Sequence, residues 1–439
     1  MAREVAAPAT PGSAASSRVY YGYWLIGAAF IAQFVSVGSQ NYVVGAFFKP
    51  MTTDLDWTRS EYTLGRTVAQ FVMAFTGFFI GGHVDRHGGR RLMLVGTVIL
   101  TGSLYAMSFI EELWQWIVLN GLVMTMGAAM IGNLVVNVTL SKWFVERRGW
   151  AVSMASMGVS TAGILLTPLM TEVVDNWGWR AGWRVMAVVS LVLIVPAAAL
   201  MRRAPEDYGM NPDGRTDIQM AGGMGDKARA EFAMSMTRRE AIRTGTFYLL
   251  VIGFGLFGVT IGVMLLQTIP FMTDAGYSRG TASLMITMSS IPALLSKPLW
   301  GYAMDHWDPK KLASAGALLT GISMMVITLA VNAGADPLVY TGFFLLGCGW
   351  GGMIPLQEVI WASYFGRRYL GAVRSAGLPV ALVLGAGSPL IVSLYFDHVG
   401  NYNGAFLTVA VLNMAAAVML LFIPKPGKKS AAQVAAGGA

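Results

Sequence analysis

Gly81 to Arg91 reads GGHVDRHGGRR, and far downstream Gly301 to Lys311 reads GYAMDHWDPKK. Each copy opens on a glycine, carries an aspartate at its fifth position and closes on two basic residues. Three further matches follow in the same order. WFVERR (Trp143 to Arg148) is answered by YFGRR (Tyr364 to Arg368), and Thr167-Pro168-Leu169 by Ser388-Pro389-Leu390. Asp175, Gly178 and Gly182 return as Asp397, Gly400 and Gly404. The spacing between copies is nearly constant through all the matches, so the chain reads as two copies of one unit.

The sequence around these motifs is too apolar for a soluble domain. Of 439 residues 55% are hydrophobic and 12% charged, with a mean hydropathy of +0.57, where soluble domains carry about 25% charge. Runs of about 20 apolar residues are long enough to cross a ~30 Å hydrocarbon layer as helices. Twelve such runs are expected, near 20–48, 62–82, 92–110, 114–141, 149–171, 183–201, 246–269, 282–303, 312–332, 338–363, 370–396 and 404–424. The expected organisation is a flexible tail (1–19), a six-helix bundle (20–201), a polar linker (202–245), a second six-helix bundle (246–424) and a polar tail (425–439). The fold class is an all-α membrane protein of two parallel six-helix pseudo-repeats. Its 52 glycines suit close helix contacts in lipid.

A formal charge of +8 raises the question of nucleic acid, and its placement answers it. Arg86, Arg90, Arg91, Lys142, Arg147, Arg148, Arg202, Arg203, Lys310, Lys311, Arg367 and Arg368 all fall on the side of the linker and both tails. The opposite loops keep about five basic residues. By the positive-inside rule both termini are expected in the cytoplasm. One cysteine (Cys348) and four scattered histidines argue against a disulfide framework, a thiolate cluster and a metal centre. No GxxxxGK[ST] loop and no convergent acid–base set is present, so neither ATP-driven pumping nor an enzyme is expected, and no cofactor. A receptor would need an output domain, which the linker and tail are too short to form.

GxxxDRxGxR, with its weaker second copy, resembles the loop motif of the major facilitator superfamily, and the resemblance covers about residues 20–424. Tyr21-Gly22-Tyr23-Trp24, GAFFKPMTTDLDWTRSE (45–61), WFVERRGWAVSMASMGVSTAG (143–163) and YFGRRYLGAVRSAG (364–377) resemble its monocarboxylate transporter and oxalate:formate antiporter branch. The resemblance implies that Asp85, Arg86, Arg90, Asp305 and Lys310 form a conformational latch. Short charged loops that merely anchor topology would carry the same residue types.

Lys297 lies eight residues before Asp305, about 12 Å of helix from the linker-side end and so near the membrane midplane. Buried ionisable groups there are costly and mark substrate or ion paths. In the family resembled, this position of the eighth span holds an arginine that binds the substrate carboxylate, and lysine keeps its charge without the planar fork; a structural cation is the other reading. Monocarboxylate transporters of the animal type carry an aspartate one turn earlier, where this chain has Ala293. They also carry a lysine in the outer first span, where Tyr42 stands here.

Other polar residues separate by depth. Arg66 belongs near the outer edge, as a gate, an anion attractor or an interfacial cation. Glu358 and Arg374, each about 9 Å deep, can pair across spans ten and eleven as a gate, and Glu358 is the remaining candidate proton carrier. Asn133 and Asn137 share one helix face; Gln33, Gln267 and Asn133 are expected in the cavity, although amides in lipid also serve helix packing. The expected function is secondary active transport of a small organic anion, foremost a monocarboxylate, with or without protons. Exchange and dicarboxylate or aromatic-acid transport are the alternatives. The expected setting is a bacterial inner membrane, with the chain acting as a monomer among lipids.

Overall fold

A computed structural model describes residues 20–220 and 226–426. The expected N-terminal tail, residues 221–225 of the linker and 427–439 lie outside the described residues.

The described residues form twelve long helical segments. In the first half α1 runs Gly22–Val37, widens through a π turn at Gly38–Tyr42 and resumes at Val44–Asp54; α2 is Arg59–His87 and α3 Arg90–Met107. Next, α4 spans Leu113–Trp143 with a π-helical middle and a break at Gly132, and α5 (148–177) and α6 (179–200) meet at Gly178. After the linker come α7 (Gly245–Asp274), α8 (Arg279–His306), α9 (Pro309–Ala333) and α10 (Asp336–Phe365). Finally α11 is interrupted at Gly377 between Leu370–Ala376 and Leu378–Val399, and α12 is Asn403–Leu421.

Sequence signals explain the boundaries. Thr58 and Glu61 form a reciprocal capping box at the start of α2, and Asp308 caps α9 ahead of Pro309 at its first turn. The stretch expected as a loop between spans five and six is helical instead. Helix continues to residue 177 and turns on Gly178 alone, at φ 80°, ψ 162°, where a side chain would be strained. Trp179 and Arg180 then bind the Asp54 carboxylate at 3.0 and 2.6 Å, and Trp183 stacks on Phe47, which fixes α6 against the end of α1.

Among the described residues nine of the twelve helices are long and apolar enough to cross a membrane unaided. Among the rest, α3 opens on Arg90 and Arg91, and α8 holds Lys297 and two prolines, which lowers their mean hydropathy.

The repeat persists as packing. Phe75 and Phe79 of α2 are 64% and 71% exposed, and Leu295 and Leu299, at the matching positions of α8, share those values. Both helices therefore turn the same apolar stripe outward, as lipid-facing helices do. Their inward faces pack across the two halves: α2 on α11, and α5 on α8. Glycine sets both crossings. A methyl on Gly81 would stand 2.0 Å from the Gly371 carbonyl oxygen, and one on Gly149 would stand 2.8 Å from that of Gly301. Backbones approach this closely only between small residues. The two crossings shut the end of the bundle that carries the linker.

Candidate functional site at the half-to-half interface

Because α2 and α8 share one rotation, position 297 falls on the face that crosses α5. Lys297 is 3% exposed, and Pro292 and Pro298 flank it within α8. Its ammonium donates to the Ser156 carbonyl at 2.9 Å and the Ser160 hydroxyl at 2.6 Å, both on α5 of the other half. Ser156 and Ser160 are four residues apart, so one face of α5 presents both. An ammonium has three donors. Among the described residues the third has no partner, and no carboxylate lies within ion-pair distance.

The repeat equivalent of Lys297 is Gly77, which packs on Leu378 of α11. The scaffold occurs twice and the cation once. Chemistry has been added to one of two equivalent crossings, which is how a site differs from the fold carrying it.

Tyr42 follows from two local features. The π turn of α1 re-aims its side chain, and such turns often mark working positions. Gly163 admits its ring: a methyl there would lie 2.5 Å from Tyr42 Cε1. Since Gly163 is three residues beyond Ser160, the phenol sits one turn from the Lys297 contact on the far side.

A second polar group joins the two halves. Gln33 of α1 donates to Asn137 Oδ1 on α4 at 3.0 Å. Glu358 of α10, 2% exposed, pairs with Arg374 of α11 at 3.3 Å, and Arg374 also donates to Gln357 at 2.5 Å. Asn137 and Glu358 interact across the two halves, although Asn137 Nδ2 and Glu358 Oε2 do not reach bonding geometry. Asn133 starts the helix after the Gly132 break and is half-buried, and among the described residues its side-chain oxygen has no hydrogen-bond partner.

At the linker end the two repeat aspartates act alike. Asp85 of α2 accepts the Gly371 and Ala372 amides at 3.2 and 2.8 Å, where α11 begins. Asp305 of α8 accepts the Gly149 and Trp150 amides at 2.7 and 3.0 Å, where α5 begins. Each carboxylate thus caps a helix start of the opposite half, a position favoured by the free N–H groups and the helix dipole. Lys142 adds an ion pair to Asp85 at 3.0 Å.

The motif's own basic residues are not part of these contacts. Arg86 and Arg90 are exposed and Lys310 is half-buried; among the described residues the structure gives their side chains no ion-pair partner. Helix starts satisfy the aspartates in their place, because the closed crossing brings amides within reach.

Two other expected residues lie apart from Lys297. Gln267 meets the Tyr402 hydroxyl at 3.4 Å near the far end of α7, about 20 Å of helix beyond the Lys297 level. Arg66 donates to Asn41 at 3.0 Å near the far end of α2. Ser156, Ser160 and Gln357 do not stand out in the sequence. Serines among the alanines and glycines of ASMGVSTAG look like packing residues, and only their i,i+4 spacing hints at more.

The family model described as Major Facilitator Superfamily matches residues 29–277 and 249–438. The chain belongs to the major facilitator superfamily. This facilitator is accordingly an integral, multi-pass membrane protein and a transporter by family. It is 22% identical over 405 residues to the oxalate:formate antiporter of Oxalobacter formigenes, covering 89% of each chain. It is 23% identical over 350 residues to monocarboxylate transporter 11 of Mus musculus, covering 77% of this chain and 73% of that one. The solved proton:xylose symporter XylE superposes with a TM-score of 0.75 at 13% identity, covering 92% of this chain and 96% of the other. That likeness establishes the fold.

Proposed function

We propose that this facilitator moves a small organic anion, foremost a monocarboxylate, across a bacterial inner membrane by alternating access, with its linker end and both termini in the cytoplasm. The observation that carries the reading is the Lys297 ammonium: buried, near mid-helix, joining the two halves, and lacking a carboxylate partner among the described residues. An unneutralised buried charge is destabilising by several kcal/mol, and an anion that arrives there removes the cost. A carboxylate can take the third N–H first and then displace the serine oxygens, which are weaker, neutral acceptors.

In this reading residues 20–201 and 246–424 move as two bodies about the site. Tyr42, one turn away, offers a hydroxyl to the same anion, and Asn133 and Gln33, each about 15 Å of helix from the linker-side ends of α4 and α1, lie near the same depth. Opening the linker end breaks the four amide contacts of Asp85 and Asp305 and separates the Gly81 and Gly301 crossings. Closing the far end then completes the cycle. Gln267 and Arg66 belong to that far end rather than to the central cavity, Arg66 as a cation at the mouth.

The transport is driven by a co-transported proton or by exchange for a second anion. The similarity to a relative named as an oxalate:formate antiporter favours keeping exchange in view. The single central cation suits one carboxylate better than two. Uptake into proteoliposomes of the Lys297→Ala variant tests the site: the reading expects uptake to fall to the level of empty liposomes. Retained uptake with unchanged affinity would sink the assignment.

A further inference from the structure

The polar chain Gln33–Asn137–Glu358 runs from α1 through α4 of the first half to α10 of the second, and it is incompletely satisfied. Gln33 Nε2 donates to Asn137 Oδ1, while among the described residues Gln33 Oε1, Asn137 Nδ2 and Glu358 Oε2 are buried without hydrogen-bond partners. Unpaired buried polar atoms are rare, and each calls for a reason. Here they alternate along one line: an acceptor, a bonded amide pair, a donor, an acceptor.

We propose that Glu358 is the proton-binding site of the transport cycle and that Asn137 and Gln33 are a reversible amide relay reporting its protonation to the opposite half. This rests on the reading that the chain carries an anion through the Lys297 site.

Primary amides present a donor and an acceptor that exchange places on rotation by half a turn. With Glu358 ionised, the Asn137 NH2 faces the carboxylate and the Gln33 NH2 faces the Asn137 carbonyl, which is the arrangement observed. With a proton on Glu358 Oε2, the carboxylic O–H donates to the Asn137 carbonyl. The Asn137 NH2 then donates to the Gln33 carbonyl. Both amides turn together, and each arrangement is consistent from end to end. The proton binds as H+ to the carboxylate from one side of the membrane and leaves as H+ to the other; no bond other than O–H forms or breaks.

The same proton loosens Glu358 from Arg374, which keeps its contact to Gln357. Of the elements packed on α10, α11 presents the charged group facing Glu358, namely Arg374, and α4 presents Asn137. Lys297 of α8 is turned toward α5. A monocarboxylate at Lys297 together with a proton on Glu358 leaves the net charge of the interface as it was when empty. Their charges are opposite and attract each other in a low-dielectric region, so each raises the affinity for the other. Anion and proton are thereby favoured to move together.

The test uses the full-length protein in proteoliposomes holding a pH-sensitive dye, with labelled lactate, pyruvate and formate as probes and protein-free liposomes as the baseline. The wild type should acidify the lumen by one proton per anion taken up, and an outward-acid gradient should drive accumulation. Glu358→Gln should keep anion-for-anion counterflow, which also shows that it folds, while gradient-driven accumulation falls at least tenfold. Asn137→Leu, which breaks the relay but keeps the acid, should uncouple protons from anions in the same direction. Wild-type uptake without proton movement, or a Glu358→Gln protein with wild-type accumulation, would overturn the proposal. Loss of both counterflow and accumulation in Lys297→Ala, beside wild-type proton coupling in Glu358→Gln, would leave the anion site standing and remove the relay.

Discussion

Lys297 Nζ and Ser160 Oγ lie 2.6 Å apart, and the bond ties α8 of one half to α5 of the other at the level of the candidate site. In the proposed function the serine stands where the anion would bind and competes with it in the empty carrier. Ser160→Ala removes one hydrogen bond from the empty state, worth about 1 kcal/mol. The dissociation constant for the anion should therefore fall roughly fivefold, as read by equilibrium binding to purified protein. A weakened affinity would make Ser160 a ligand of the bound anion.

Asp85 and Asp305 hold the linker end shut through amides of the opposite half. Asp305→Ala loses two charge-assisted bonds and should cost the closed state about 2 kcal/mol, roughly a 30-fold shift toward opening. In a Cys348→Ala background, Ser153→Cys at the α5–α8 crossing reports it. Ser153 is fully buried in the closed arrangement. A membrane-impermeant maleimide applied from the linker side should label it at least tenfold faster in the Asp305→Ala protein. An unchanged labelling rate would deny the latch role.

Gly81 meets the α11 backbone so closely that any side chain must force the helices apart. Gly81→Val should weaken the closed state by about 1–3 kcal/mol through overpacking. The melting temperature should fall, and labelling of the same reporter should rise. Gly45, whose surroundings leave open space for a methyl, is the control site: Gly45→Ala should leave both readings at the wild-type level.

The linker also crosses the closed end. Arg238 donates to the Phe78 carbonyl of α2 and the Ala372 carbonyl of α11, both at 2.9 Å, and to the Ser375 hydroxyl at 3.2 Å. One guanidinium therefore bridges both halves, which a lysine cannot reproduce with its compact charge. Arg238→Ala should speed amide hydrogen exchange at the start of α11 roughly fivefold, about 1 kcal/mol of closed-state preference. Exchange unchanged there would make the linker a passive tether.

Hydropathy, positive charge and the four repeat matches carry the fold, because helix length and burial are dictated by lipid and hold along the whole chain. Lys297 is legible for the same reason: one charge in a span of apolar residues has few innocent explanations. Ser156 and Ser160 are not legible, since small hydroxyl residues serve helix contact and cation binding equally well. The partners of Asp85 and Asp305 are hidden too. They are backbone amides in the opposite half of the chain, and no side-chain pattern says which helix start supplies them; the nearby Arg86, Arg90 and Lys310 are the more visible partners.

Ligand-dependent thermal stability reads whether Lys297 is the anion's ligand without needing a transport step. A ligand held at about 100 times its dissociation constant stabilises the folded protein by about 2.7 kcal/mol. Purified wild-type protein should show a clear rise in melting temperature with lactate, pyruvate or formate and none with a neutral analogue of the same size. Lys297→Ala should melt near the wild-type temperature without ligand and lose the carboxylate response. A Lys297→Ala protein that keeps the full carboxylate-dependent rise would contradict the account.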